Sequence, residues 1–155
     1  MTPGIEQAKR AKIDYRVHEY VHDPASESWG LEAARKTGVP AARVFKTLVV
    51  ELAGGELAVG VVPVSTMLNL KSIARAAGAK KAAMAPAASV ERSTGYVLGG
   101  VSPLGQKRKL KTFIDASAQD LPTIFVSAGR RGLEIELSPA DLARLTRGIF
   151  VSIGQ

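Results

Sequence analysis

A lysine set in an apolar run, a glycine pair in a long loop and two histidines four residues apart are the features of this chain that could do chemistry. Lys46 lies in Phe45-Lys46-Thr47-Leu48-Val49-Val50-Glu51-Leu52, which is β-branched and apolar as strands are. Side chains alternate along a strand, so Lys46 shares a face with Leu48, Val50 and Leu52. A lysine there is paired, shifted in pKa, or aimed into a pocket. An edge-strand lysine whose stem packs while its ammonium reaches water gives the same pattern, and from spacing alone this plainer reading carries more weight.

The glycine pair, Gly99-Gly100, sits inside Arg92-Ser93-Thr94-Gly95-Tyr96-Val97-Leu98-Gly99-Gly100-Val101-Ser102-Pro103-Leu104-Gly105-Gln106-Lys107-Arg108-Lys109-Leu110. Without side chains, the backbone N–H groups there can approach a carbonyl or a phosphate closely. A tight packed corner is the competing reading. Neither a dinucleotide fingerprint nor a P-loop is present, because no glycine pattern of that spacing follows a strand and opens a helix. The histidines belong to His18-Glu19-Tyr20-Val21-His22, the H-E-x-x-H pattern of zinc peptidases. That chemistry needs a helix, which puts both imidazoles on one face. The alternation of Ile13, Tyr15 and Val17 against Asp14, Arg16 and His18 predicts a strand instead, with the histidines about 13 Å apart. Metal catalysis is therefore not expected.

Charge points to a polyanion. The net charge is +7. Leu57 to Ile114 holds nine Lys/Arg and only Glu91 as an acid, so that stretch carries +8 and the remainder −1. The Lys107-Arg108-Lys109-Leu110-Lys111 run is either a solvated face or a clamp for a nucleic-acid backbone. There are no cysteines, so the chain has neither a disulfide framework nor a thiolate of its own. No apolar run approaches the ~20 residues of a membrane span, and Met1 to Glu6 does not read as a signal peptide. A single domain over residues 1–155, in the cytoplasm and off the membrane, is the expectation.

The elements that must position these groups follow from caps and alternation. Thr2 and Pro3 start a short helix to Lys12, and His22-Asp23-Pro24 ends the strand that follows. Ser26 to Gly30 reads as a loop, Leu31–Thr37 as a helix stopped by Gly38, and Pro40–Arg43 as a single turn. The Lys46 strand and Glu56–Val64 form a hairpin, in which Ala58 and Gly60 imply close packing. Asn69 caps a helix over Leu70–Ala77, Ala79–Met84 is a short strand, and Pro86 to about Arg92 is helical. Thr112–Asp115, Thr123–Ser127, Leu133–Leu137 and Ile149–Ile153 read as strands, with a helix over Ala140–Thr146. The predicted class is α+β: a mixed, mostly antiparallel β-barrel flanked by short helices.

Four blocks together carry a family resemblance: Arg92 to Leu110, Tyr20-Val21-His22-Asp23-Pro24, Phe45-Lys46-Thr47-Leu48, and Val126-Ser127-Ala128-Gly129-Arg130-Arg131-Gly132-Leu133. The chain resembles, from Thr2 to about Phe150, the bacterial YbaK family of Cys-tRNA(Pro) deacylases. That family belongs to the editing-domain superfamily related to the insertion domain of prolyl-tRNA synthetase. The resemblance implies a trans-editing enzyme that releases mischarged amino acid, chiefly cysteine, from tRNA(Pro), and from Cys-tRNA(Cys) as a further substrate. The family's lysine falls on Lys46 and its G-x-x-x-P motif on Gly99 to Pro103, so Lys46, Gly99 and Gly100 are the expected catalytic groups. Tyr20, Trp29, Thr47, Pro103, Ser127 and Glu134 are the expected substrate contacts. Trp29 and Glu134 stand where the family has Phe and Asp, which changes the pocket's size but not its chemical type. Lys107, Arg108, Lys109, Lys111, Arg130 and Arg131 are the expected tRNA contacts. In the family the substrate's own thiol is thought to attack the ester, so no cofactor is implied and the activity is classed as hydrolase or lyase. The protein's part is then positioning and oxyanion stabilisation, with Lys46 in an electrostatic role first and as a general base second. Prolyl-tRNA synthetase is the implied protein partner, and a monomer or weak homodimer the expected state. A non-catalytic tRNA-binding adaptor on the same scaffold is the alternative.

Overall fold

Caps set the helices. The Thr2 hydroxyl accepts from the Ile5 amide at 3.2 Å and Pro3 takes the first helical position, starting α1 (Pro3–Ala11). Ser28 caps α2 (Trp29–Thr37), Asn69 caps α3 (Leu70–Ala76), and Ser138 caps α5 (Pro139–Thr146). Helix α4 (Ala87–Thr94) has no side-chain cap and stops at Gly95 in the left-handed region. The computed structural model describes residues 1–26 and 28–155; Glu27, part of the expected loop before α2, lies outside them.

The strands form two sheets. β1 (Tyr15–Glu19), β7 (Leu133–Leu137) and β6 (Ile124–Arg130) make a three-stranded antiparallel sheet in the order β1-β7-β6. The other sheet has five strands in the order β4-β2-β3-β5-β8: β4 (Ala82–Met84), β2 (Phe45–Leu52), β3 (Leu57–Pro63), β5 (Lys111–Asp115) and β8 (Ile149–Val151). The β2–β3 hairpin and the β2–β4 pair are antiparallel, whereas β3–β5 and β5–β8 are parallel. The sheets meet at a parallel bridge between Val44 and Phe125. This is the mixed, mostly antiparallel α+β class that the sequence predicts, arranged as two joined sheets.

The main core fills the space between the sheets, with Phe45, Val49, Val59, Val61, Ile124, Val126 and Ile135 buried in it. Tyr96, Val101 and Leu104 complete that core, so the glycine-rich loop is anchored through its apolar side chains. A second cluster packs α3 on the far face of β2 and β3. There a Cβ at Gly60 would come within 3.0 Å of Leu68, which is the close packing its lack of a side chain implies.

Three local readings change. Helix α2 begins at Trp29 rather than Leu31, because Gly30 fits a first turn pressed on Val64, where a Cβ would lie 2.4 Å from Val64 Cγ1. Strand β6 runs on from Ser127 to Arg130 through a bulge at Gly129, whose φ is +123°. Ile13, just before β1, and Tyr15 on it pack on the core as expected, but Val17 is exposed on the sheet edge. His18, on the other face, is half-buried, with its ring centroid 4.9 Å from that of Phe125.

Candidate active site

The site residues are assembled by the junction of the two sheets. Val44 and Phe125 are aligned in parallel and pack in one cluster with Tyr20 and Val64. Two residues further along each strand, Lys46 and Ser127 lie on that same face. Ser127 is directly paired with Glu134, and Glu134 with His18. Lys46, Ser127 and Glu134 therefore form a row across β2, β6 and β7. The Lys46 ammonium is half-buried, and among the described residues it has no carboxylate partner. Burial lowers its pKa. Glu134 is 6% exposed, and loss of hydration pushes its carboxyl up to about 8. Tyr20 is also shifted upward, by its own burial first and then by the charge of Glu134.

The loop closes the same corner. A Cβ on Gly100 would lie 2.8 Å from the Arg130 Cα, and one on Gly99 would lie 2.3 Å from Arg131 Nε. Gly100 is thus required by contact with the Arg130 backbone, and Gly99 by its φ of +88°, since the Arg131 side chain that it faces could move aside. The Gly100 amide donates to the Val97 carbonyl at 3.0 Å, whereas the Gly99 amide has no acceptor among the described residues. Of the two expected oxyanion donors, only Gly99 is therefore free. Arg131 straps the corner together: its guanidinium donates to the Leu98 carbonyl at 2.9 Å and lies 4.0 Å from the centroid of the Trp29 ring. The Tyr20 amide donates to the Gly132 carbonyl at 2.9 Å, tying the end of β1 to the same turn.

Helix α2 is held over this corner by a buried carboxylate. Glu32 is fully buried and accepts from the Asp23 amide at 2.7 Å; it lies 2.7 Å from His22 Nδ1 and 3.3 Å from Lys36 Nζ. Burial alone would raise its pKa, but these partners outweigh that and hold it at about 2. Glu32 gives no signal in the sequence, because a glutamate on a helix normally faces water. His22 and His18 answer to different carboxylates, His18 Nε2 lying 3.0 Å from Glu136, and His18 and Glu19 stand on a strand.

Not all the expected residues converge. Thr47 faces the opposite side of β2 from Lys46, with Phe45 and Val49, and its buried hydroxyl has no partner among the described residues. Ser127 accepts from the Gly129 amide at 3.1 Å, so its hydroxyl also shapes the bulge. Pro103 lines a separate groove together with Arg108, Lys109 and Lys111. Lys111 pairs with Ala58, four residues along β3 from Val62, the partner of Lys46, a displacement of about 13 Å. The basic run is thus at the far end of the sheet, whereas Arg130 and Arg131 are at the corner itself.

A family model described as an aminoacyl-tRNA editing domain matches residues 23–145, a span that includes the Lys46 row, the glycine loop and the Arg131 strap. The chain belongs to the aminoacyl-tRNA editing-domain family. This editing domain is 36% identical over 152 residues to EbsC of Enterococcus faecalis, named as a candidate Cys-tRNA(Pro)/Cys-tRNA(Cys) deacylase, covering 98% of this chain and 92% of that protein. It is 28% identical to YwhH of Bacillus subtilis, an uncharacterised protein, over 74% of this chain and 73% of the relative. Among solved structures, the hypothetical protein APE2540 matches with a TM-score of 0.88 at 25% identity, over 99% and 100% of the two chains. A candidate trans-editing enzyme for prolyl tRNA synthetase matches with a TM-score of 0.83 at 22% identity, over 100% and 99%, so the fold is shared. Among the described residues, no helix of this editing domain is long and apolar enough to cross a membrane.

Proposed function

We propose that this editing domain, spanning residues 1–155, acts in the cytoplasm as a trans-editing deacylase that releases cysteine from mischarged tRNA(Pro), and from Cys-tRNA(Cys) as a second substrate. The observation that carries this reading is the half-buried Lys46 ammonium, without a carboxylate partner among the described residues, in one row with Ser127 and Glu134. A cation held partly out of water without a counter-ion favours an anion or a developing oxyanion. The free Gly99 amide supplies a second donor for the ester carbonyl oxygen. Tyr20, Trp29, Ser127 and Glu134 supply the walls and polar contacts for the amino acid, whereas Thr47, on the other face of β2, has no part in them.

The chain has no cysteine, and Ser127 and the two histidines are committed to structural contacts. This fits the assignment that the family resemblance implies, with the substrate itself as the nucleophile. The cysteine sulfur forms a bond to the ester carbonyl carbon, the carbonyl–ribose C–O bond breaks, and the thiol proton ends on the released ribose hydroxyl. The products are a thiolactone and free tRNA, and no water is consumed. Lys46 and Gly99 stabilise the tetrahedral oxyanion between these steps. Oxyanion stabilisation of this kind is worth about 10²–10³ in rate per donor.

The test is a release assay on Cys-, Ala- and Pro-tRNA(Pro), run in ¹⁸O water. Release from the cysteinyl ester without ¹⁸O in the first-formed product supports the reading. Equal release of all three with ¹⁸O incorporation overturns the substrate-thiol step. Salt-dependent tRNA binding without any turnover would leave the chain a tRNA-binding adaptor, docked with prolyl-tRNA synthetase or free.

A further inference from the structure

The basic groove away from the Lys46 corner has a volume of about 850 Å3 and runs between α1, the segment from Pro103 to Lys111, and the end of α5. Arg10 stands on α1 and Arg147 at the end of α5, with Arg108 and Lys109 on the central segment. All four are exposed, and among the described residues none forms an ion pair. Arg144 and Lys111 also line the groove but are each 3.5 Å from an acid, Asp141 and Glu56. Glu6 is the only acid in the lining.

Four unbalanced cations around one groove create a local potential that a merely solubilising surface avoids by mixing signs. Its cations come from three separate segments, α1, the Arg108-Lys109 run and the end of α5, which suits a chain of phosphates better than a single small anion. Its place in the fold is also informative. The loop that carries Gly99 at the site reaches the groove at Pro103, and the basic run lies about 13 Å along the sheet from Lys46.

We propose that this groove holds the phosphate backbone of the base-paired stem of the RNA whose 3′ end enters the Lys46 corner, with Arg10 and Arg147 gripping from the two helices. The identity of that RNA as a charged tRNA rests on the editing reading; the groove's preference for a paired stem does not.

The experiment measures binding of an uncharged acceptor-stem hairpin, and of the same 3′ end as a single strand, across a salt series. The variants are Arg10→Gln with Arg147→Asn, Asn being tolerated at the φ of 54° that residue 147 adopts. Arg16→Gln with Arg35→Gln removes the same net charge elsewhere on the surface and is the control. The groove variant is expected to bind the hairpin about tenfold more weakly and to lower the salt slope by about two, with little change for the single strand. The control should bind as the wild type does. Unchanged hairpin affinity and slope would overturn the proposal, as would an equal loss in the control or an equal loss for both RNAs. Because uncharged RNA is used, the outcome does not depend on turnover: a protein that grips the hairpin yet releases no amino acid refutes the editing reading alone.

Discussion

At the scale of single residues, Lys46 and Glu134 carry the strongest expectations. Lys46→Met keeps the stem's bulk and removes the charge, so release should fall about 100-fold while the fold persists. Lys46→Arg should keep part of the rate. Because burial lowers the Lys46 pKa, an electrostatic role makes the wild-type rate decline at a lower alkaline pH than an ordinary lysine would give, and Lys46→Arg should remove that decline. A rate that instead climbs with pH through that range would make Lys46 a base. Glu134 is neutral in the folded chain up to about 8, whereas its ordinary value is 4.5. Folding is thus progressively weakened as pH rises from the lower value through the higher one, since only the unfolded chain ionises freely there. Glu134→Gln should flatten that slope and add on the order of a few kcal/mol at pH 9. Urea titrations at pH 5 and pH 9 measure the difference, and parallel pH dependences in the two proteins would refute it. Lys46 was legible in the sequence because alternation exposes an odd residue on an apolar face. Glu134 was legible only through resemblance, since Glu134 and Glu136 alternate alike with Leu133, Ile135 and Leu137 but only Glu134 is buried; Glu136 is half-buried and partnered by His18 and Thr123.

At the scale of elements, α2 and the glycine loop are both held by buried polar groups. Glu32→Ala leaves the Asp23 amide and His22 without their acceptor, and should cost about 2–3 kcal/mol in denaturant stability. Because the 20–24 segment and Trp29 loosen together, KM should rise more than kcat falls. The loop is closed by the Tyr96 hydroxyl, which donates to the Leu104 carbonyl at 2.7 Å; burial drives its pKa up to about 12. Tyr96→Phe should cost about 1 kcal/mol. Caps and turn residues made most element positions readable, as Thr2, Ser28, Asn69 and Ser138 each mark a helix start. The start of α2 was hidden because Trp-Gly resembles a loop until Val64 is seen beneath Gly30. The β6 extension was hidden because Gly129 looks like a terminator when it is a bulge.

At the scale of the whole molecule, distant segments are joined by a few groups that no local pattern reveals. Asp115, at the end of β5, accepts from the Ile153 amide at 3.0 Å, the Gly154 amide at 2.9 Å and the Ser117 hydroxyl at 2.6 Å. Burial opposes its charge, but these donors hold its pKa below the ordinary carboxylate value. Its stabilisation is therefore present above that ordinary value and lost as pH falls through the folded one. Asp115→Ala should cost about 2–3 kcal/mol at pH 7 and progressively less as pH falls below the ordinary carboxylate value, as read by thermal unfolding across an acid pH series. The parallel pairings β3–β5 and β5–β8 escaped the sequence reading for the same reason: hydrophobic alternation says which face is buried but not which strand lies alongside. Charge told the reverse story. The basic middle was plain in the sequence, but not its division between a groove at one end of the sheet and an arginine strap at the other.

Val44, just before β2, bridges Phe125 on β6, and Lys46 and Ser127 stand two residues beyond that bridge on the same face. The room left beside that bridge is set by the side chains packed around it. A relative could therefore admit a bulkier or a smaller amino acid by resizing the side chains that rim it, such as Trp29 and Glu134, while the lysine and the backbone around it stay untouched. Sorting by size and cleaving the ester would then evolve on separate parts of the same opening.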